Sequence, residues 1–135
     1  MTIEELQTLY NDVFAEWVRE LDLEVRSATP DSVTLALPVQ ARHVHAGGVV
    51  CGQTLMAAAD TALVLAISHK LGGFRPQTTV QLQTSFLRPV GKDVAEVGVE
   101  ARILKSGRSL VFGEVTLRLP DGQVAAHATS TSALL

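Results

Sequence analysis

Between Ile3 and Glu20 the apolar residues Leu6, Leu9, Tyr10, Val13, Phe14, Trp17 and Val18 recur at helical spacing. Glu4, Glu5, Asp12, Glu16 and Arg19 lie mainly on the opposite side. That period predicts an amphipathic helix packed on another element, opened by a capping box between Thr2 and Glu5. The pattern then changes to alternation. Leu21 to Arg26 and Ser32 to Val39 read as two strands across Thr29-Pro30-Asp31. A loop rich in His and Gly follows, from Gln40 to Cys51. From Gly52 to about Leu71 the chain is rich in Ala and Leu, without Pro or an internal Gly, and apolar on nearly every helical face. A helix of that kind must be wrapped by other structure, and Gly72-Gly73 ends it.

The remainder reads as four strands, Gln77–Leu87, Asp93–Leu104, Leu110–Leu119 and Val124–Ser132. Their breaks fall at Pro89-Val90-Gly91, Ser106-Gly107-Arg108 and Pro120-Asp121-Gly122. Connections this short imply antiparallel neighbours. An α+β fold satisfies the whole pattern: one curved antiparallel sheet around a long central helix, with an N-terminal helix outside, in a single domain spanning residues 1–135.

Composition narrows the function classes. The 135 residues are 47% hydrophobic and 19% charged, which suits a globular chain with a core of its own. Aromatics are 4% and the net charge is −3, so neither the stacking platforms nor the basic footprint of a nucleic-acid binder is present, nor a polybasic membrane patch. Cys51 is the only cysteine, which excludes an internal disulfide. No His pair stands at metal-ligand spacing beside a carboxylate, so no metal and no cofactor are expected. Met1 to Glu5 lacks the basic stretch and apolar run of a signal peptide, and Asp60-Thr61 interrupts the longest apolar run. A cytoplasmic protein without membrane contact is the expectation.

Asp60 stands out. A carboxylate within an apolar helix costs several kcal/mol unless it is paired, hydrogen-bonded or facing a cavity. It either serves chemistry, caps a neighbouring loop, or sits on a solvated stripe with Thr61. Three stretches, in this order, resemble the hotdog-fold thioesterases of the phenylacetate-degradation (PaaI-like) type over about Val39 to Thr131. They are Gly52-Gln-Thr-Leu-Met-Ala-Ala-Ala-Asp60-Thr-Ala, Phe86-Leu87-Arg88-Pro89, and Gly107-Arg108 followed by Glu114.

The resemblance implies an acyl-CoA thioesterase that works as a homodimer or a dimer of dimers. Asp60 is then general base or nucleophile, and the Gly52 N–H, free at a helix start, polarises the thioester carbonyl. Eight residues separate the two, about 12 Å along a helix axis. One carbonyl cannot touch both, so antiparallel helices of two subunits would supply one residue each. Thr79 stands where relatives place a hydroxyl that holds the water or the carboxylate, with Thr84 and Ser85 as competitors and plain strand propensity as the simpler account.

The chain also departs from the family pattern. Where relatives carry His before that Gly, this sequence has Cys51, and the Gly47-Gly48 doublet lies upstream, as in a Gly-Gly-x-x-x-Gly variant. Cys51 is a nucleophile or a small packing residue at the site wall. His45, or its neighbour His43, stands in for the missing polar contact or is simply exposed. Among the turn cations Arg88, Lys105 and Arg108, the first and last are candidates for coenzyme A phosphates, against a default of solvated charge. Small side chains at Ala57, Ala58 and Ala59 leave room for an acyl group or pack the helix. The alternative function is a non-catalytic acyl-CoA binding or sensing protein on the same fold. Hydration of an enoyl-CoA is disfavoured, because His45 and Asp60 are poorly spaced for it.

Overall fold

A six-stranded antiparallel sheet in the order β1-β2-β4-β5-β6-β3 carries the architecture, in a computed structural model that describes residues 1–135. Its strands are β1 (Glu24–Thr29), β2 (Ser32–Pro38), β3 (Gln77–Phe86), β4 (Glu96–Ser106), β5 (Leu110–Arg118) and β6 (Val124–Leu134). The helices are α1 (Ile3–Val13), α2 (Glu16–Arg19) and α3 (Gly52–Leu71). Alternate residues Val97, Val99 and Ala101 of β4, and Val111, Val115 and Leu117 of β5, turn inward and bury against α3. This is the sheet wrapped around a helix that the sequence pattern predicts, and the hotdog fold that the resemblance implies, with the central helix at its expected bounds.

Gly113 sets how close helix and sheet can come. A Cβ there would fall within the Leu63 side chain of α3 and 3.0 Å from the Arg102 carbonyl oxygen. At the far end Gly72 takes a left-handed conformation (φ 81°) that a Cβ would strain, and its N–H closes the helix on Ser68 and His69 carbonyls. The sheet and the N-terminal helices leave one stripe of α3 open. Gln53 is exposed, and Met56, Ala57, Asp60 and Val64 are half-buried, at spacings of three and four residues.

The N-terminal segment differs from its expected form. Instead of one helix to Glu20, α1 stops at Val13, Phe14 is extended, and the short α2 follows. Tertiary bonds decide this. The Tyr10 hydroxyl donates to the Val18 carbonyl at 2.7 Å and accepts from the Leu23 N–H at 3.4 Å, folding the chain back over α1. The capping box between Thr2 and Glu5 is present. Strand β1 starts three residues later than expected, because Leu21 and Leu23 are buried and Asp22 sits at φ 55°, outside the extended region. The Gln7 amide covers that approach, donating to the Leu23 carbonyl and accepting from the Val25 N–H.

β3 is an edge strand with a bulge. Its register against β6 slips between Thr79 and Gln81, leaving Val80 as the extra residue, 61% exposed. The slip puts Thr79 and Leu82, three apart, opposite Ser132 and Ser130, both buried on the α3 side. In a regular strand they would face opposite ways.

Candidate active site

Asp60 projects from the open stripe of α3 toward that bulged strand. The Thr79 hydroxyl donates to its Oδ1 at 2.7 Å, and no protein group is hydrogen-bonded to Oδ2. The carboxylate thus has one oxygen held and one available. It lies in a pocket of about 260 Å³ whose other walls are Trp17 of α2, Gln53, Met56 and Ala57 of α3, and Leu82 of β3. Thr84 and Ser85, the competitors of Thr79, do not reach the carboxylate: the Thr84 hydroxyl is buried without a partner, and Ser85 faces the other side of the sheet, opposite His127.

Gly52 opens α3 directly after Cys51, which holds the N-cap position in extended conformation (φ −67°, ψ 148°). The Cys51 carbonyl already accepts from the N–H groups of Thr54 and Leu55. The N–H groups of Gly52 and Gln53 donate to nothing in the chain, so two aligned donors stand at the positive end of a 20-residue helix. Gly52 lines a second pocket, about 340 Å³, with Val50, Leu55, Phe86, Arg88 and Val90 among its walls. A Cβ on Gly52 would lie 3.1 Å from Phe86 Cζ, so the absent side chain is what lets this ring sit over the helix start. Asp60 and Gly52 therefore line different pockets of the same chain.

The other candidates fall into two groups. Arg88 lines the Gly52 pocket, although its guanidinium is tied to the Val124 carbonyl at 2.9 Å. Cys51 lies beside Gly52 with its Sγ 3.0 Å from Thr54 Oγ1, a local contact within the first helical turn. His45 stays in its loop, where Nδ1 accepts from the Gly47 N–H at 2.8 Å, and it lines neither pocket. Arg108 is exposed in the β4–β5 turn, at the end of the sheet where β3 begins, whereas Arg88 follows the end of β3. One chain does not bring these two arginines together. Ala58 and Ala59 are fully buried packing residues, and only Ala57 faces the Asp60 pocket.

Several residues of the site carried no signal in the sequence. Trp17 has the spacing of an ordinary core position, and Leu82 reaches Asp60 only through the bulge. A third pocket, about 360 Å³, joins Trp17 and Gln53 to Leu21, Arg42, His43 and Thr54. Burial, and then the Arg42 charge, hold the His43 pKa below its ordinary value, and its Nδ1 has no partner. Glu114, part of the third motif, lies on the sheet face away from α3, where it pairs with His127 at 3.2 Å. Its motif neighbour Gly107 shapes the turn: a Cβ there would sit 2.9 Å from the Leu110 carbonyl oxygen.

Residues 47–126, more than half of the chain, match the model of the thioesterase superfamily. A protein of Thermoplasma acidophilum named as a candidate esterase is 23% identical over 115 residues, 85% of each chain. The structure of a thioesterase from Haemophilus influenzae superposes with a TM-score of 0.88 at 23% identity, over 100% of this chain and 91% of that one. The PaaI protein of Escherichia coli, from the phenylacetic acid degradation operon, gives 0.84 at 16% identity, over 98% of this chain and 91% of that one. At these identities the two structures speak for the fold.

Proposed function

The chain belongs to the thioesterase superfamily, a family of hydrolases, and we propose that it is an acyl-CoA thioesterase whose active sites form between two subunits. The observation that carries this reading is the pairing of Asp60 with Thr79 in one pocket, while the unspent N–H of Gly52 lines another. Neither half suffices alone. About 12 Å of helix lies between them, so a carbonyl beside Gly52 of one subunit meets the Asp60 of the other. The free edge of β3 supports such an assembly, because unpaired strand edges are templates for pairing with another chain. A two-fold pairing through β3 sets the Gly52 end of one subunit beside the Asp60 stripe of its partner. It also puts Arg88 of one and Arg108 of the other at the same end of the joined sheet, where they would receive the phosphates of coenzyme A.

In this mechanism the Gly52 N–H, reinforced by the helix dipole, stabilises negative charge on the thioester oxygen as the carbonyl is attacked. Thr79 holds Asp60 Oδ1 and orients Oδ2 toward the carbonyl. Oδ2 either removes a proton from the attacking water or itself attacks, giving an anhydride that water then opens. The C–S bond breaks and coenzyme A leaves as the thiol. In a single turnover in isotopically labelled water, an unlabelled acid with label left on Asp60 marks the anhydride opened at its aspartyl carbonyl. Direct attack labels the acid, as does an anhydride opened at its acyl carbonyl, and trapping the anhydride with hydroxylamine distinguishes those last two.

Thiol release from short, medium, long and aromatic acyl-CoAs by wild type and Asp60→Asn tests the proposal. Turnover that collapses in a folded mutant supports it. Binding of acyl-CoA without cleavage of any member refutes it and favours the alternative, an acyl-CoA binding protein.

A further inference from the structure

We infer that Trp17 selects the acyl group, its indole forming the wall against which the acyl portion of the substrate packs beside Asp60. The inference deepens the proposed function and rests on it. Trp17 is the only tryptophan of the chain, and 62% of it is exposed, an unusual position for so large an apolar surface. The exposure does not come from a loose segment. Tyr10 holds the Val18 carbonyl, and the Arg42 guanidinium holds the Glu20 carbonyl while pairing with Asp22 at 3.1 Å. Both flanks of the indole are fastened, and the ring is left standing over the open stripe of α3.

The pocket below it has a division of labour. Met56 and Ala57 belong to the central helix and Leu82 to the sheet, while Trp17 comes from outside the helix–sheet body. Like Met56, and unlike Ala57 and Leu82, Trp17 does not pack against the core, so it can change size without disturbing the fold. Trp17 and Gln53 also line the third pocket, so the indole stands between the carboxylate side and the cavity holding Arg42 and His43. The depression beside Asp60 is open and lined by apolar Met56, Ala57 and Leu82 as well as Trp17, and the flat indole favours a ring through stacking.

The test uses the full-length protein in two ways. In Asp60→Asn, the fluorescence of Trp17 is followed during titration with coenzyme A, acetyl-CoA, hexanoyl-CoA and benzoyl-CoA. The expected result is a change that tracks the acyl group and is largest for benzoyl-CoA. Equal responses to coenzyme A alone, no response at all, or an indole already shielded from iodide in the free protein would overturn the inference. In proteins with the Asp60 carboxylate, Trp17→Ala is expected to lower the ratio of kcat/KM for benzoyl-CoA over acetyl-CoA roughly ten- to a hundredfold. Trp17→Phe restores most of that ratio. A uniform loss across the panel, or an unchanged ratio, contradicts the inference while leaving the thioesterase reading intact. Were the wild type to hydrolyse nothing, the thioesterase reading would fail, and the fluorescence series alone would decide whether Trp17 contacts the acyl group.

Discussion

Replacing Gly52 with proline and, separately, with alanine probes one backbone donor. Gly52 is the first residue of α3, a position where the N–H takes no part in the helix and where proline is well tolerated. Cys51 already has the extended backbone that a residue before proline must adopt. Both substitutions add a Cβ, 3.1 Å from Phe86 Cζ, and that ring is half-exposed and free to swing aside. Only proline removes the N–H. Proline also puts its ring Cδ where the N–H hydrogen stood, so the difference between the two variants reports the loss of the donor together with the closing of the oxyanion's place, and the Gln53 N–H remains in both. Loss of one oxyanion donor costs about 2.7–4 kcal/mol, or roughly a hundred- to a thousandfold in kcat. Thiol release at saturating acyl-CoA, with thermal unfolding measured on the same samples, reads this directly. Equal kcat in two folded variants would show that Gly52 does not bind the oxyanion.

Thr79→Val removes the hydrogen bond to Asp60 without changing side-chain shape, and a bond to a charged group is worth about 1.5–3 kcal/mol. The expected loss in kcat is about ten- to a hundredfold, with a lower unfolding temperature because the same bond stabilises the fold, and Thr79→Ser should recover most of both. Gly113→Ala overpacks the contact between α3 and β5, because the new methyl group meets Leu63 and the Arg102 carbonyl. Chemical denaturation should show a loss of about 1–3 kcal/mol. His43 predicts a pH effect. Its pKa is lowered in the folded chain, so the unfolded chain binds the proton more readily. The stability of neutral His43 is complete above its ordinary value near 6.5 and is lost as pH falls toward the folded value. Unfolding temperatures of wild type and His43→Gln between pH 7.5 and 5.5, about one unit either side of that value, should show a steeper decline in the wild type.

Local chemistry made much of the fold legible. Gly72-Gly73 and the turns at Pro89, Gly107 and Gly122 punctuate the chain where its period changes, so α3 and the later strands could be placed from residue patterns. Features decided by distant contacts were not visible. Val13 to Val18 keeps a helical period, yet the bond from Tyr10 to Val18 breaks the helix and carries Trp17 out over α3. Leu21 and Leu23 alternate as a strand does, but they are buried under the N-terminal helix before β1 begins. The bulge at Val80 leaves no mark in an ordinary run of strand-forming residues, although it decides that Leu82 shares a face with Thr79. Asp60 was conspicuous as a lone carboxylate on an apolar helix, and the resemblance named Thr79 as a hydroxyl for the water or the carboxylate; that it meets the carboxylate, with Thr84 and Ser85 out of reach, is decided by the fold. Likewise His127 finds Glu114 only through the pairing of β5 with β6.

Mixing two inactive variants shows whether each site is divided between two subunits. Asp60→Asn and Gly52→Pro, unfolded together and refolded at equal concentrations, form a mixed dimer that keeps one intact pairing of Asp60 with Gly52. Random assembly should then restore about a quarter of wild-type thiol release, from half the dimers with one working site of two. If each chain carried its own complete site, every site in the mixture would hold one defect. Activity would then stay at the level of the separate variants, and the sites would not be shared between subunits.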